Sequence, residues 1–108
     1  MTELARTFSA LGDSTRLAIV ERLVSGEATI TDFAATHHMT LAGAMKHIRV
    51  LEDAGLVRRA KRGRSVWCAL SPGQIERISD WARTYSTFWD ARLDSLSDHL
   101  RRTADSNE

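Results

Sequence analysis

The sequence predicts a mainly helical fold that carries one small β-hairpin. Three observations predict it. Apolar residues recur at helical spacing in five runs, two of the short helices are joined by about three residues, and one segment reads as strand on both sides of a single glycine. The chain has 108 residues, the length of one domain. Residues 1–102 are expected to form that domain and 103–108 a polar, disordered tail. No apolar run approaches the roughly 20 residues that cross a bilayer. The opening "MTELARTFSALGD" is amphipathic rather than signal-like, and one cysteine excludes an internal disulfide framework. These features point to a cytoplasmic protein with no membrane partner.

Leu4, Phe8 and Leu11 repeat at i, i+4, i+7 and predict the first helix, stopped by Gly12. Asp13 is a suitable N-cap for the second, whose apolar side is Leu17, Ile19, Val20, Leu23 and Val24, and Ser25-Gly26 ends it. "EATI" is β-prone and long enough for one small strand. Thr31 is expected to cap a third helix over 32–37, with Phe33 and Ala34 inward, and His37-His38-Met39 to turn the chain. Thr40 then caps a fourth helix whose Ala44, Ile48 and Leu51 face the core, with Gly55 as its stop. Residues 56–62 and 64–70 predict two strands around Gly63. Val66, Cys68 and Leu70 share one face of the second strand, and Ser65, Trp67 and Ala69 the other. Ser71-Pro72 opens a last helix, 72–102, whose Ile75, Ile78, Ala82, Tyr85, Trp89, Leu93, Leu96 and Leu100 recur mostly at steps of 3 and 4. Trp81 and Phe88 widen that stripe.

Charge is unevenly placed. The net charge is only +1, yet residues 40–64 hold seven Lys/Arg against Glu52 and Asp53, so that block carries +5 and the remainder −4. A basic block on a slightly acidic body suits a polyanion. The third and fourth helices have helix-turn-helix spacing, in which the second helix enters the DNA major groove. With Ala44, Ile48 and Leu51 buried, the outward positions are Leu41, Ala42, Gly43, Met45, Lys46 and Arg49. Lys46 and Arg49 reach phosphates or guanine edges, and Thr40 offers a hydroxyl and helix N-terminal amides to a phosphate. Lys61, Arg62 and Arg64 stand at the hairpin tip, a basic finger of the kind called a wing. The expected architecture is therefore a winged helix-turn-helix.

The segments "LGDSTRLAIVERL", "TLAGAMKHIRVLEDAGLVRRAKRGRSVW" and "ALSP" resemble the ArsR-type winged helix-turn-helix transcriptional regulators over residues 4–71. The last helix, with "FWDARLDSL", is similar to the subgroup lacking the usual metal sites. The resemblance implies a homodimeric repressor that binds double-stranded DNA at an inverted-repeat operator. It implies DNA contacts at Thr40, Leu41, Gly43, Met45, Lys46 and His47 and on the wing at Arg62 and Arg64. Met45 stands where the family usually has serine, which removes a polar base contact or replaces it with an apolar contact to a thymine methyl. The apolar stripe is expected to form the dimer interface, from Leu4, Phe8, Trp81, Tyr85, Phe88, Trp89, Leu93, Leu96 and Leu100; Trp81, Phe88 and Trp89 could equally line a ligand pocket between helices.

No metal or other cofactor is expected. "TDFAATHH" lacks cysteine, and His99 with Asp90, Asp94 and Asp98 reads as a charged helix face rather than a zinc site, which needs three or four N/S ligands. Cys68 reads as a small buried hydrophobe rather than a redox sensor, which needs an exposed thiol of low pKa. No nucleophile–base pair or phosphate-binding glycine loop suggests an enzyme. The alternatives are a metal- or thiol-responsive repressor of the same family and, more distantly, a protein-binding adaptor using the last helix. The sequence names no operator and no inducer.

Overall fold

A computed structural model describes residues 2–106. The elements are α1 (Glu3–Leu11), α2 (Ser14–Val24), β1 (Ala28–Thr29), α3 (Ile30–Thr36), α4 (Leu41–Asp53), β2 (Val57–Arg62), β3 (Ser65–Leu70) and α5 (Pro72–Ser106). The mainly helical class with a small wing is as expected. The described residues fall into two compact units, one ending at Arg77 and the other beginning at Ile78.

Each of the first four helices has a side-chain cap at its start. Thr2, Asp13, Thr29 and Thr40 accept from the backbone N–H groups of Ala5, Arg16, Asp32 and Gly43, satisfying donors the helix itself leaves unpaired. The third of these corrects the sequence reading. Thr29, not Thr31, caps α3, its hydroxyl 3.1 Å from the Asp32 nitrogen. The reason is burial: starting the helix at Ile30 puts Ile30, Phe33 and Ala34 on one inward face, all buried, and leaves Thr31 exposed.

The core of the first unit is built from Ile19, Val20 and Leu23 of α2, the α3 trio, Ala44, Ile48 and Leu51 of α4, and Leu56, Val57 and Cys68. Leu17 and Val24, expected on the apolar side of α2, are 42% and 74% exposed. They lie beside the Ile19–Leu23 stripe rather than within it. In α1 the inward residues are Thr7 and Ala10, while Phe8 keeps 36% of its surface. Thr7 is the one buried polar residue among those described, and its hydroxyl lies 3.0, 3.3 and 3.4 Å from the Glu3 carbonyl, the Ala54 carbonyl and Gln74 Oε1. It joins α1 to the end of α4 and to the first turn of α5.

The two helix-turn-helix segments end alike. Leu56 N–H bonds the Leu51 carbonyl at 3.0 Å and Gly55 N–H the Glu52 carbonyl at 3.0 Å, with Gly55 at φ +76°. Met39 N–H bonds Ala34 at 3.0 Å and His38 N–H bonds Ala35 at 3.3 Å, with His38 at φ +52°. Both are Schellman closures, which need a left-handed residue after the cap. The first has a glycine there and the second a histidine.

The sheet is antiparallel, ordered β1-β3-β2. Arg62 pairs with Ser65, leaving Gly63-Arg64 as a two-residue loop; Gly63 at φ +62° followed by a residue of negative φ follows the pattern of a II′ turn. Ala28, Val57 and Val66, Cys68 and Leu70 share the core-side register, with Arg59 and Lys61 extending it toward the tip, while Arg58, Ala60, Arg62 and Trp67 share the other face. The last helix continues through Ser106, beyond the 102 expected from its apolar repeat, because nothing in "TADS" breaks it. Residues 103–106 of the anticipated tail are thus helical, and 107–108 lie outside the described residues.

Candidate nucleic-acid interface

Within α4, positions 42, 46 and 49 lie about 200° around the axis from 44, 48 and 51, so one ridge faces the core and the opposite ridge faces out. Ala44, Ile48 and Leu51 are fully buried, and Leu41, Ala42, Lys46 and Arg49 are exposed. Small residues at 42 and 43 keep the start of this outer face low. Thr40 closes the N-terminus: its hydroxyl accepts from Gly43 N–H at 3.0 Å and keeps its own proton for an incoming phosphate oxygen. Among the described residues neither Lys46 nor Arg49 has an ion-pair partner.

Met45 and His47 are placed differently from their neighbours. The Met45 sulfur accepts from Arg59 Nη1 at 3.2 Å, and Arg59 Nε donates to Glu52 at 3.0 Å. Arg59 thus ties edge strand β2 to α4, a positioning role that a count of charges did not reveal. His47 is half-buried, its Nδ1 lying 3.4 Å from Arg16 Nη1 and 3.9 Å from an Asp13 carboxylate oxygen. That ring is engaged with the start of α2 while keeping 26% of its side-chain surface exposed. Arg16 N–H, its guanidinium and His47 together hold the Asp13 carboxyl below the usual carboxylate range, with the backbone bond contributing most.

On the wing, Lys61 and Arg64 are exposed and have no ion pair among the described residues. Arg62 is exposed too, but its guanidinium donates to both oxygens of Glu27, at 2.7 and 3.1 Å, and lies 5.6 Å from the Trp67 ring centroid. That bond lowers the pKa of Glu27 and raises that of Arg62. Below the sheet Cys68 is fully buried, and desolvation pushes its thiol up to about 11 despite the nearby Arg59. No group of three His, Cys, Asp or Glu side chains gathers to hold a metal among the described residues of one chain.

A capped helix presenting cations on its outer ridge, preceded by a short helix and a tight turn and followed by a basic two-stranded finger, defines a winged helix-turn-helix DNA-binding module. A helix-turn-helix domain family matches residues 11–60. A cadmium resistance transcriptional regulatory protein CadC homolog from Staphylococcus aureus is 30% identical over 81 residues, 74% of this chain and 67% of that one. The HTH-type transcriptional regulator NmtR of Mycobacterium tuberculosis is 31% identical over 84 residues, 78% and 70% of the two chains. Among solved structures, the crystal structure of an ArsR family transcriptional regulator is 36% identical, with a TM-score of 0.73 over 82% of this chain and 98% of that chain. The chain belongs to the ArsR family of helix-turn-helix transcriptional regulators. A solution structure described as a homodimeric winged helix-turn-helix DNA-binding domain from Mycobacterium bovis shares the fold at a TM-score of 0.65, with 24% identity over 79% of each chain.

The nine expected interface residues fall in both units. Leu4 is partly buried. Trp81, Tyr85, Phe88, Trp89, Leu93, Leu96 and Leu100 all keep between 42% and 59% of their surface exposed. Their spacing keeps them on one broad side of α5. The Trp81 and Tyr85 rings lie 5.0 Å apart, Phe88 and Trp89 meet edge-on at 5.7 Å, and Arg92 sits 5.0 Å from the Phe88 ring. No helix here is long and apolar enough to cross a membrane among the described residues.

Proposed function

We propose that the protein is a homodimeric repressor that reads an inverted-repeat operator through α4 and grips the flanking backbone with its wing. The observation that carries this is the outer ridge of α4, where Lys46 and Arg49 stand exposed and unpaired among the described residues above a fully buried opposite ridge. In this reading Thr40 and the first amides of α4 hold a phosphate, and Leu41, Gly43 and Met45 meet base edges and thymine methyls. Lys46 and Arg49 reach guanine or phosphate, and Lys61 and Arg64 follow the backbone. Its work is binding, carried out in the cytoplasm, with no catalytic step.

Dimerisation follows from the α5 stripe. An apolar surface of this extent is rarely left to water, and each such side chain gains about 1.5–3 kcal/mol on full burial. A second copy of the same helix offers matching aromatic and leucine steps, as the homodimeric M. bovis domain of this fold would lead one to expect. Two-fold symmetry then sets two α4 helices toward successive major grooves, so half-sites one helical turn apart are expected. The test is selection of binding sites from fragments of the source genome, followed by Lys46→Ala on the selected site. The variant should lose about 1–3 kcal/mol on that site and less on mixed-sequence DNA. Parallel losses on both would assign sequence reading to residues other than Lys46.

A further inference from the structure

The wing carries two arginines beside its turn, and the fold treats them differently. Arg64 lies in the loop with no ion pair among the described residues, whereas Arg62 is folded back across the outer face of the sheet. Its guanidinium crosses β3 above Trp67, a diagonal cross-strand neighbour, and ends on the carboxylate of Glu27, just ahead of β1. Both terminal nitrogens are used, at 2.7 and 3.1 Å, the parallel two-bond geometry that arginine also presents to a phosphate. The carboxylate thus occupies the same donors a DNA phosphate would use.

We propose that Glu27 is an internal competitor for DNA: it holds Arg62 in the free protein and must release it before the wing can take a phosphate with that side chain. This rests on the reading of the wing as a backbone-gripping element. The pair is exposed on both sides, Arg62 at 56% and Glu27 at 42% of the side chain, so solvent screens it and phosphate can displace the carboxylate. The exchange leaves an unpaired carboxylate beside the polyanion, which opposes binding and recruits a cation from solution. Glu27 therefore lowers affinity for every duplex alike and flattens the salt dependence. Indole contact keeps the freed guanidinium close to the wing surface.

The test uses the full chain with mixed-sequence duplex DNA at several salt concentrations, in a double-mutant cycle of Glu27→Gln and Arg62→Ala. Glu27→Gln keeps the shape and removes the charge at an exposed position, so the fold is retained, and thermal melts verify it. The expected result is binding about three- to tenfold tighter than wild type, with the slope of log K against log salt steeper by about two, one freed arginine per subunit of the dimer. In the Arg62→Ala background, Glu27→Gln should tighten binding by a clearly smaller factor, because only the repulsion of the carboxylate is removed and no arginine remains to be released. Tighter binding of equal size in both backgrounds would overturn the proposal in favour of simple removal of a negative charge. Weaker binding by Glu27→Gln would overturn it in favour of a clasp that holds Arg62 in place for DNA. Arg62→Ala alone reports on the wing itself: a variant that binds like wild type refutes the wing reading and the competitor with it, whereas a weakened Arg62→Ala with an unchanged Glu27→Gln refutes the competitor only.

Discussion

Replacing Gly55 by alanine tests how the recognition helix is closed. Gly55 follows the cap of α4 at φ +76°, and its added Cβ would lie 2.8 Å from Gln74 Cγ. An L side chain in the left-handed region costs about 1–2 kcal/mol. Gln74 would also have to move, loosening the amide it donates to Glu3 at 2.6 Å and its approach to Thr7; a net hydrogen bond at that exposed edge contributes about 0.5–1 kcal/mol. The expected loss is about 1.5–3 kcal/mol. Gly63 is the internal control: its φ is +62°, yet an added Cβ there meets nothing within 4 Å, so Gly63→Ala should cost only the first contribution, about 1–2 kcal/mol. Urea unfolding of the three proteins at one protein concentration measures both losses. Equal losses would refute the Gln74 contact as the cause of the difference, and no loss at either site would refute the left-handed conformations.

Four other outcomes follow from the same geometry. His38→Gly should raise stability by up to about 1 kcal/mol in the same urea assay, since it relieves a left-handed non-glycine residue in a closure that glycine fits. The Cys68 thiol, fully buried and pushed up to about 11, should resist alkylation at pH 8 in the folded protein and react fully in denaturant; because folding raises this pKa above 9.0, stability should be full below pH 9 and fall as pH climbs toward 11, a loss absent in Cys68→Ala. Trp89→Ala should weaken the dimer by at least about 2 kcal/mol, read as a roughly thirtyfold shift in the dissociation constant by sedimentation. Equimolar cadmium or zinc should leave DNA affinity unchanged; a tenfold loss with stoichiometric metal would contradict this and direct attention to Asp94, Asp98 and His99 paired across two chains.

The hydrophobic period made most of the fold legible. Ala44, Ile48 and Leu51 were readable as the inward ridge of α4 because a period of 3.6 permits only one such face, and Lys46 and Arg49 followed as its opposite. Caps were legible at Asp13, directly after Gly12, and at Thr40, just ahead of the run from Leu41. At α3 two threonines competed, and only the burial of Ile30 decides for Thr29. Pairing of charges was the least readable feature. Glu27 and Arg62 are 35 positions apart and meet only because β1 and β2 flank β3, so a sequence count treats both as solvated charges. The same holds for Arg59, which counts as one more wing cation until the fold sets it against Glu52 and Met45. His38 carries no glycine signal, and His47 lies on a helix face whose neighbour at Asp13 becomes visible only in three dimensions.

The central claim, that α4 and the wing form a polyanion-binding surface, is tested most directly by the salt dependence of binding to duplex DNA by the intact protein. Lys46, Arg49, Lys61 and Arg64 of each subunit are available for phosphates. If all engage in a dimer, log K should fall linearly with log salt with a slope of about −7, and Arg64→Ala should make it shallower by about two, one phosphate per subunit. A slope near zero, or one that Arg64→Ala leaves unchanged together with a Lys46→Ala variant of wild-type affinity, would contradict the account.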